Sequence, residues 1–277
     1  MNRHVAALLT ILMYLLALSA VQSQDVNWKK VKVLVYTKNG KGYVHDNLAN
    51  AVQCVQTLGQ QYGFAVDSSA QPTVFTEANL KQYTLLIFAS TNNDVFDTDA
   101  QRLAFRRYIE AGGGFVGIHS VMGTERNWAW FKRMLGGTFA WHPKFQKFKV
   151  EMIDSKHPSL QGLPKVWERE DEFYFTKNMS PGPTVIMAND ITSLNQDEPE
   201  KVKMFGGSYT ELYPSAWYYN FDGGYTWCTT LGHAKTDYLS DKTFIQHIFQ
   251  GIRYIASQVK IIDFKKAYAD SRDTEIR

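Results

Sequence analysis

Four histidines and a carboxylate are the residues in this chain best suited to chemistry: His45, His119, His142, His233 and Glu172. Imidazole is the common ligand of transition metals and the common proton carrier near neutral pH. A cluster of imidazoles with one carboxylate is how proteins assemble either kind of centre. Three of the histidines follow runs with strand character. His45 comes after residues 31–36, His119 after 115–118, and His233 closes Leu231-Gly232-His233. The polar run Ser90-Thr91-Asn92-Asn93-Asp94 follows another such strand. Glu172 and Asp171 are flanked by Trp167, Phe173 and Tyr174, whose bulk should half-bury one of the two and raise its pKa into the general-base range. His157, before Pro158, and His247, inside the last helix, read as structural histidines. Neither HExxH nor CxxC occurs.

Aromatic residues gather near one of these histidines. Trp128, Trp130, Phe139 and Trp141 precede or adjoin His142, interleaved with Glu125, Arg126 and Asn127, and Trp217 follows later. Packing in a core is the plain reading of such a group. The mixture of flat apolar and polar side chains also fits a surface on which sugars stack. On that reading His45, Asn92, Trp128, Trp130, Trp141 and Trp217 bind substrate, His119, Glu172 and Asp171 carry the catalysis, and His119, His142 and His233 hold a divalent metal ion if one is bound.

The elements that must position these residues alternate. A strand at 31–36 ends in the turn Lys38-Asn39-Gly40-Lys41-Gly42. Leu48, Val52, Val55, Leu58 and Tyr62 then recur at helical spacing, stopped by Gly63. A short strand at 64–66, a short helix at 77–82 and an unbroken apolar strand at 84–89 come next. Asp97-Thr98 caps a helix from Asp99 to about Ala111, which feeds a strand at 115–118. Alternating strands and helices imply a mostly parallel sheet with helices on both faces. In such a sheet ligands bind beyond the carboxyl ends of the strands, where these polar residues fall. The second half is less regular, with strands near 147–153, 184–188, 215–220 and 225–230 and a helix at 242–257, so an antiparallel portion is added around 145–225.

Composition narrows the partners. With 30 basic and 27 acidic residues and a formal charge of +3, no field favours nucleic acid or an anionic membrane. A small, largely neutral partner such as a carbohydrate fits better, and an oligomer is compatible with the sequence. Arg3, the apolar run 5–18 and the small residues 19–23 form a secretory signal peptide, with cleavage leaving a mature start near Gln24. The apolar run is too short to span a bilayer core of ~30 Å, so no membrane anchor is expected. Export points to a periplasmic or secreted protein. The organisation read from these signals is a signal peptide at 1–23, one α/β domain at 24–257, and a charged tail at 258–277 that frays from Asp263. Cys54 and Cys228 sit in apolar patterns and read as buried thiols.

A combination of spaced motifs resembles the ThuA-like (trehalose utilisation) family. They are Gly112-Gly113-Gly114-Phe115-Val116-Gly117-Ile118-His119, Trp128 to Phe131, Gly136-Gly137, Phe139, His142-Pro143, His157-Pro158, Asp171-Glu172-Phe173-Tyr174 and Leu231-Gly232-His233. The resemblance covers residues 31 to about 257. It implies a flavodoxin-like fold of the class I glutamine amidotransferase kind, in which a nucleophilic cysteine occupies a strand-to-helix elbow. His119 stands at that elbow here and neither cysteine does, which excludes glutaminase chemistry. A His-Pro-x-x-Trp motif is replaced by Tyr213-Pro214-Ser215-Ala216-Trp217. The resemblance further implies disaccharide use through 3-keto sugars. Two functions are therefore carried forward, a lyase or isomerase of keto-sugars using acid/base or metal-assisted chemistry, and a non-catalytic sugar-binding protein relying on the tryptophans. Metal-dependent hydrolysis of an unmodified glycoside or ester is a third.

Overall fold

A computed structural model describes residues 26–195 and 197–277; the signal peptide assigned to 1–23 lies outside the described residues. In chain order the strands are β1 (Lys32–Tyr36), β2 (Ala65–Ser69), β3 (Leu85–Ala89), β4 (Gly114–Ile118), β5 (Thr138–Trp141), β6 (Gln146–Met152), β7 (Val166–Asp171), β8 (Phe175–Lys177), β9 (Thr184–Asp190), β10 (Leu212–Phe221) and β11 (Gly224–Thr229). The helices are α1 (Leu48–Tyr62), α2 (Glu77–Leu80), α3 (Asp99–Glu110), α4 (Ala129–Leu135), α5 (Pro199–Gly206), α6 (Lys235–Leu239) and α7 (Lys242–Gln258). A nine-stranded sheet runs β2-β1-β3-β4-β11-β10-β9-β6-β7, and β5 pairs with β8 in a separate ribbon. From β2 to β11 every pairing is parallel; from β11 to β7 every pairing is antiparallel. The expected α/β architecture with an antiparallel extension is therefore the one observed.

Local chemistry accounts for the boundaries. Gly63 ends α1 at φ 86°, a left-handed turn that glycine adopts without strain. Thr98 and Gln101 form a reciprocal capping box at the start of α3. Asp241 accepts the Thr243 and Phe244 amides at the start of α7. Alternate residues of the parallel strands feed two cores. Val33, Val35, Ile87, Val116 and Ile118 pack with α1 and α7, while Leu34, Tyr36, Phe88 and Phe115 pack with α3 and α4. β3 is buried along its whole length, as its unbroken apolar run requires. Both cysteines are free and buried. Among the described residues no helix is long and apolar enough to cross a membrane.

One expectation is overturned at the C-terminus. The tail is docked against α3 instead of frayed. The Arg106 guanidinium, fully buried, donates to the Arg272 and Thr274 carbonyls and pairs with Glu110, whose other oxygen accepts the Tyr268 and Ala269 amides. A buried guanidinium needs all these acceptors, and the tail's backbone supplies them. Its charged composition concealed that role.

Candidate active site

In the parallel half the strand order places the switch point between β1 and β3, whose chains leave in opposite directions. The loops after these strands lie against each other. Gly40 donates its amide to the Asn92 carbonyl at 2.8 Å, and a Cβ on Gly40 would meet the Asp94 amide nitrogen at 2.5 Å. This close approach helps hold His45 and Asn92 beside one cleft. The cleft, of about 360 Å³, is lined by residues that include Tyr43, His45, Asn92, Arg126, His142, Glu172 and Tyr174.

His119 sits at the floor of this region. It follows β4 directly with φ 55°, a left-handed conformation that imidazole side chains seldom adopt, and it is fully buried. Its Nδ1 lies 2.9 Å from the Thr230 carbonyl, so Nδ1 carries the proton and Nε2 presents a lone pair. Toward that Nε2 come His45 Nε2 at 3.1 Å, the Tyr174 hydroxyl at 3.2 Å and Glu172 Oε2 at 3.5 Å. His233 Nδ1 lies 3.1 Å from the same Glu172 oxygen. The other oxygen, Oε1, faces His142 Nε2 at 3.4 Å. Glu172 thus faces His119 and His233 with one oxygen and His142 with the other.

The supporting framework is specific. Asp171, wholly buried, accepts the amides of Gly232 at 2.8 Å, His233 at 3.1 Å and Glu172 at 2.8 Å, and pairs with Arg169 at 2.6 Å. Asn47 donates to the Gly232 and His233 carbonyls, both at 2.9 Å. The ribbon of β5 and β8 brings His142 alongside Glu172 and Tyr174, and His142 Nδ1 is 2.8 Å from the Pro143 carbonyl.

Electrostatics follow from this crowding. Burial, then His119 and His233, push His45 down to about 3, so it is neutral. Burial opposes charge on His233 too, but the adjacent Glu172 outweighs it and raises that histidine. Burial favours the neutral Glu172 carboxyl, yet the adjacent imidazoles of His119 and His233 hold it well below the usual carboxylate range. The aromatic flank of Glu172 alone predicts the opposite sign; the imidazoles reverse it. Burial, and then Glu172, keep the Tyr174 phenol protonated, so its hydroxyl can donate to His119.

The sequence profile described as trehalose utilisation, ThuA, matches residues 32–255. The chain belongs to the ThuA family. Among solved structures, a ThuA-like protein of Bacteroides uniformis is 22% identical with a TM-score of 0.67, over 87% of this chain and 97% of that one. A second, from Parabacteroides merdae, is 18% identical with a TM-score of 0.62, over 82% and 90%. A cytoplasmic protein of Salmonella typhimurium is 11% identical with a TM-score of 0.55, over 81% and 98%. Identities this low speak to fold alone. No curated protein matches the chain.

Within this ThuA chain the residues singled out from sequence divide sharply. His45, Asn92, His142 and Glu172 line the cleft, and His119 and His233 adjoin it. Asp171 stands among them, but its oxygens are occupied by the amides it accepts and by Arg169, so it positions its neighbours and is not placed for catalysis. The tryptophans are corrected. Trp128 and Trp130 stack on each other in the core against α3, with indole nitrogens donating to the Arg272 carbonyl and Asp222. Trp217 is fully buried and donates to the Leu135 carbonyl. Trp141 stacks between Phe175 and Phe205, outside the cleft lining. Their apolar faces are spent on packing, so none offers a platform for a sugar. His157 and His247 are structural: His157 bonds Ser159 and stacks on Tyr218, and His247 bonds Thr229. Arg126, Tyr43, Asn47 and Tyr174 carry roles that no single residue pattern announced. Tyr174 could have been suspected from its place two residues after Glu172.

Proposed function

We propose that this ThuA-family chain is an exported enzyme that cleaves or isomerises 3-keto glycosides, with His142 as the proton carrier that meets the sugar. The carrying observation is the His142–Glu172 contact in the cleft. With Nδ1–H given to the Pro143 carbonyl, the His142 Nε2 lone pair is free, and Glu172 Oε1 at 3.4 Å is placed to stabilise the imidazolium formed when that nitrogen takes a proton. The family's link to trehalose utilisation supports a disaccharide as substrate.

A ketone at C3 acidifies the proton on C2. In the proposed reaction that proton moves to His142 Nε2, and its electron pair forms an enolate across C2 and C3. As the C3 carbonyl re-forms, the pair moves to a C1–C2 double bond, the C1–O bond breaks, and the leaving oxygen takes a proton. Arg126 and Asn92, both lining the cleft, supply N–H donors for the enolate oxygen. Three imidazoles and a carboxylate converge beneath this point, a donor set that fits a divalent metal, whose chemistry when bound would be to polarise the ketone.

The test is turnover of a 3-keto disaccharide by the full chain, compared with His142→Asn. A loss of about 10²–10⁴-fold in kcat supports the assignment. Equal rates for parent and variant overturn it. Sugar binding without turnover would instead favour a non-catalytic binder, although Trp128 and Trp130 of its expected platform are built into the core and Trp141 is stacked on Phe175 and Phe205.

A further inference from the structure

The cluster beneath the cleft has a chemistry of its own, independent of which sugar the cleft accepts. His45, His119, His233 and Glu172 each offer one donor atom, and all four atoms lie within 4.8 Å of one another. His45 and His119 are buried, Glu172 nearly so, and His233 is partly exposed. Four segments distant in sequence deliver them: the loops after β1, β4 and β11, and the residue that follows β7. We infer that these four residues form a binding site for one divalent transition-metal ion, deepening the site proposed above.

The argument is one of converging lone pairs. The Thr230 carbonyl fixes the proton of His119 on Nδ1 and leaves its Nε2 as an acceptor. Glu172 Oε2, also an acceptor, is 3.5 Å away, and His45 Nε2 is 3.1 Å away. The Tyr174 hydroxyl, 3.2 Å from His119 Nε2, can donate to that nitrogen, but it leaves the contact between His119 Nε2 and Glu172 Oε2 as one between two acceptors. Protonating every ring instead would place several positive charges within a few ångströms in a largely dry space. A single cation shared by all four donors meets the lone pairs at once.

The framework has the character of a metal site's outer shell. His119 is oriented by a backbone carbonyl through its other nitrogen. The Gly232–His233 segment is clamped through its amides by Asp171 and through its carbonyls by Asn47. Three nitrogens and one oxygen suit zinc, iron, cobalt or nickel, and disfavour magnesium and calcium, which prefer oxygen throughout. His142 belongs outside the set: its Nε2 faces Glu172 Oε1, and it lies on the cleft side. In this proposal His45 is a ligand and His142 a group of the cleft, the reverse of the roles expected from sequence.

The experiment uses the full chain purified without a polyhistidine tag or chelator. Bound metal is counted by inductively coupled plasma mass spectrometry. The stripped protein is then titrated with Co²⁺ alone, reading its visible d–d absorption, with Mg²⁺ as the competitor. The expected result is saturable Co²⁺ binding that Mg²⁺ does not displace, weakened about 10-fold or more by His45→Gln and by His233→Gln. His142→Gln should leave the Co²⁺ affinity within about 3-fold of the parent, since it removes no ligand. His233→Gln guards against misfolding because that side chain is partly exposed, and circular dichroism checks each variant. No saturable Co²⁺ binding by the folded parent overturns the inference, as does equal weakening by His142→Gln and His45→Gln. Metal binding without keto-sugar turnover retains the metal site and rejects the proposed reaction. Turnover by a chain that binds no Co²⁺ does the reverse.

Discussion

Two clusters of conspicuous side chains sit on this sheet, and they are built on opposite terms. Trp128 stacks on Trp130 and Phe131, Phe105 of α3 meets Trp130 edge-on and Phe131 at a tilt, and each of these tryptophan N–H groups has a fixed acceptor. At the carboxyl ends of β1, β4, β7 and β11, imidazoles and a carboxylate face one another at 3.1–3.5 Å. The aromatic cluster is satisfied and closed. The polar one is crowded, with donor atoms of four residues converging within 4.8 Å of one another. Amino-acid type alone suggested sugar contacts in both, and satisfaction of polar atoms is what separates them.

Exchanging charge in the polar cluster should give the largest effect, and it should fall on activity. Glu172→Gln keeps the shape but removes the carboxylate that both His142 and His233 face. Turnover of a 3-keto disaccharide should fall by about 10³-fold, while the melting temperature shifts by only a few degrees. A large loss of stability with activity intact would erase the contrast between the clusters. The aromatic cluster should behave in reverse. Trp128→Ala should destabilise the fold by about 3–5 kcal/mol in denaturant titration, with KM for the sugar unchanged in the folded fraction. A raised KM with native stability would return Trp128 to the substrate side.

The docked tail sharpens the comparison, because it completes the aromatic side. Truncation before Asp263 would strip Arg106 of the Arg272 and Thr274 carbonyls and Trp128 of its acceptor. We expect a loss of about 3 kcal/mol, read as a lowered denaturation midpoint, with no change in metal content. The smallest effect expected is a pH dependence. Burial pushes His157 down to about 4, between the rings of Tyr218 and Tyr254. The unfolded chain, with an ordinary histidine pKa, binds that proton first, so stability falls as pH drops from about 6.5 toward 4. His157→Gln should flatten this slope relative to the parent in thermal melts at stepped pH. An unchanged slope would assign the acid sensitivity to other groups, such as His45 or His247.

Local pattern was enough for the framework. The period of Leu48, Val52, Val55 and Leu58, the cap at Thr98 and the unbroken run of β3 fixed the elements, and their alternation fixed the sheet and the rim where ligands gather. His119 could be placed at the elbow after β4 for the same reason, since a strand's end is a local event. Convergence is not local. His119 meets a residue 74 positions before it and another 111 after it, and no periodicity encodes which ring nitrogen faces which. The sign of the Glu172 shift turned on those partners, the tryptophans' roles on which face of the sheet received them, and the tail's order on a buried guanidinium in α3. The sequence by itself determined which elements form and where the polar residues emerge. Tertiary structure decided which of them touch, because hydrogen bonds, lone-pair conflicts and desolvation act over a few ångströms between segments that the chain keeps far apart.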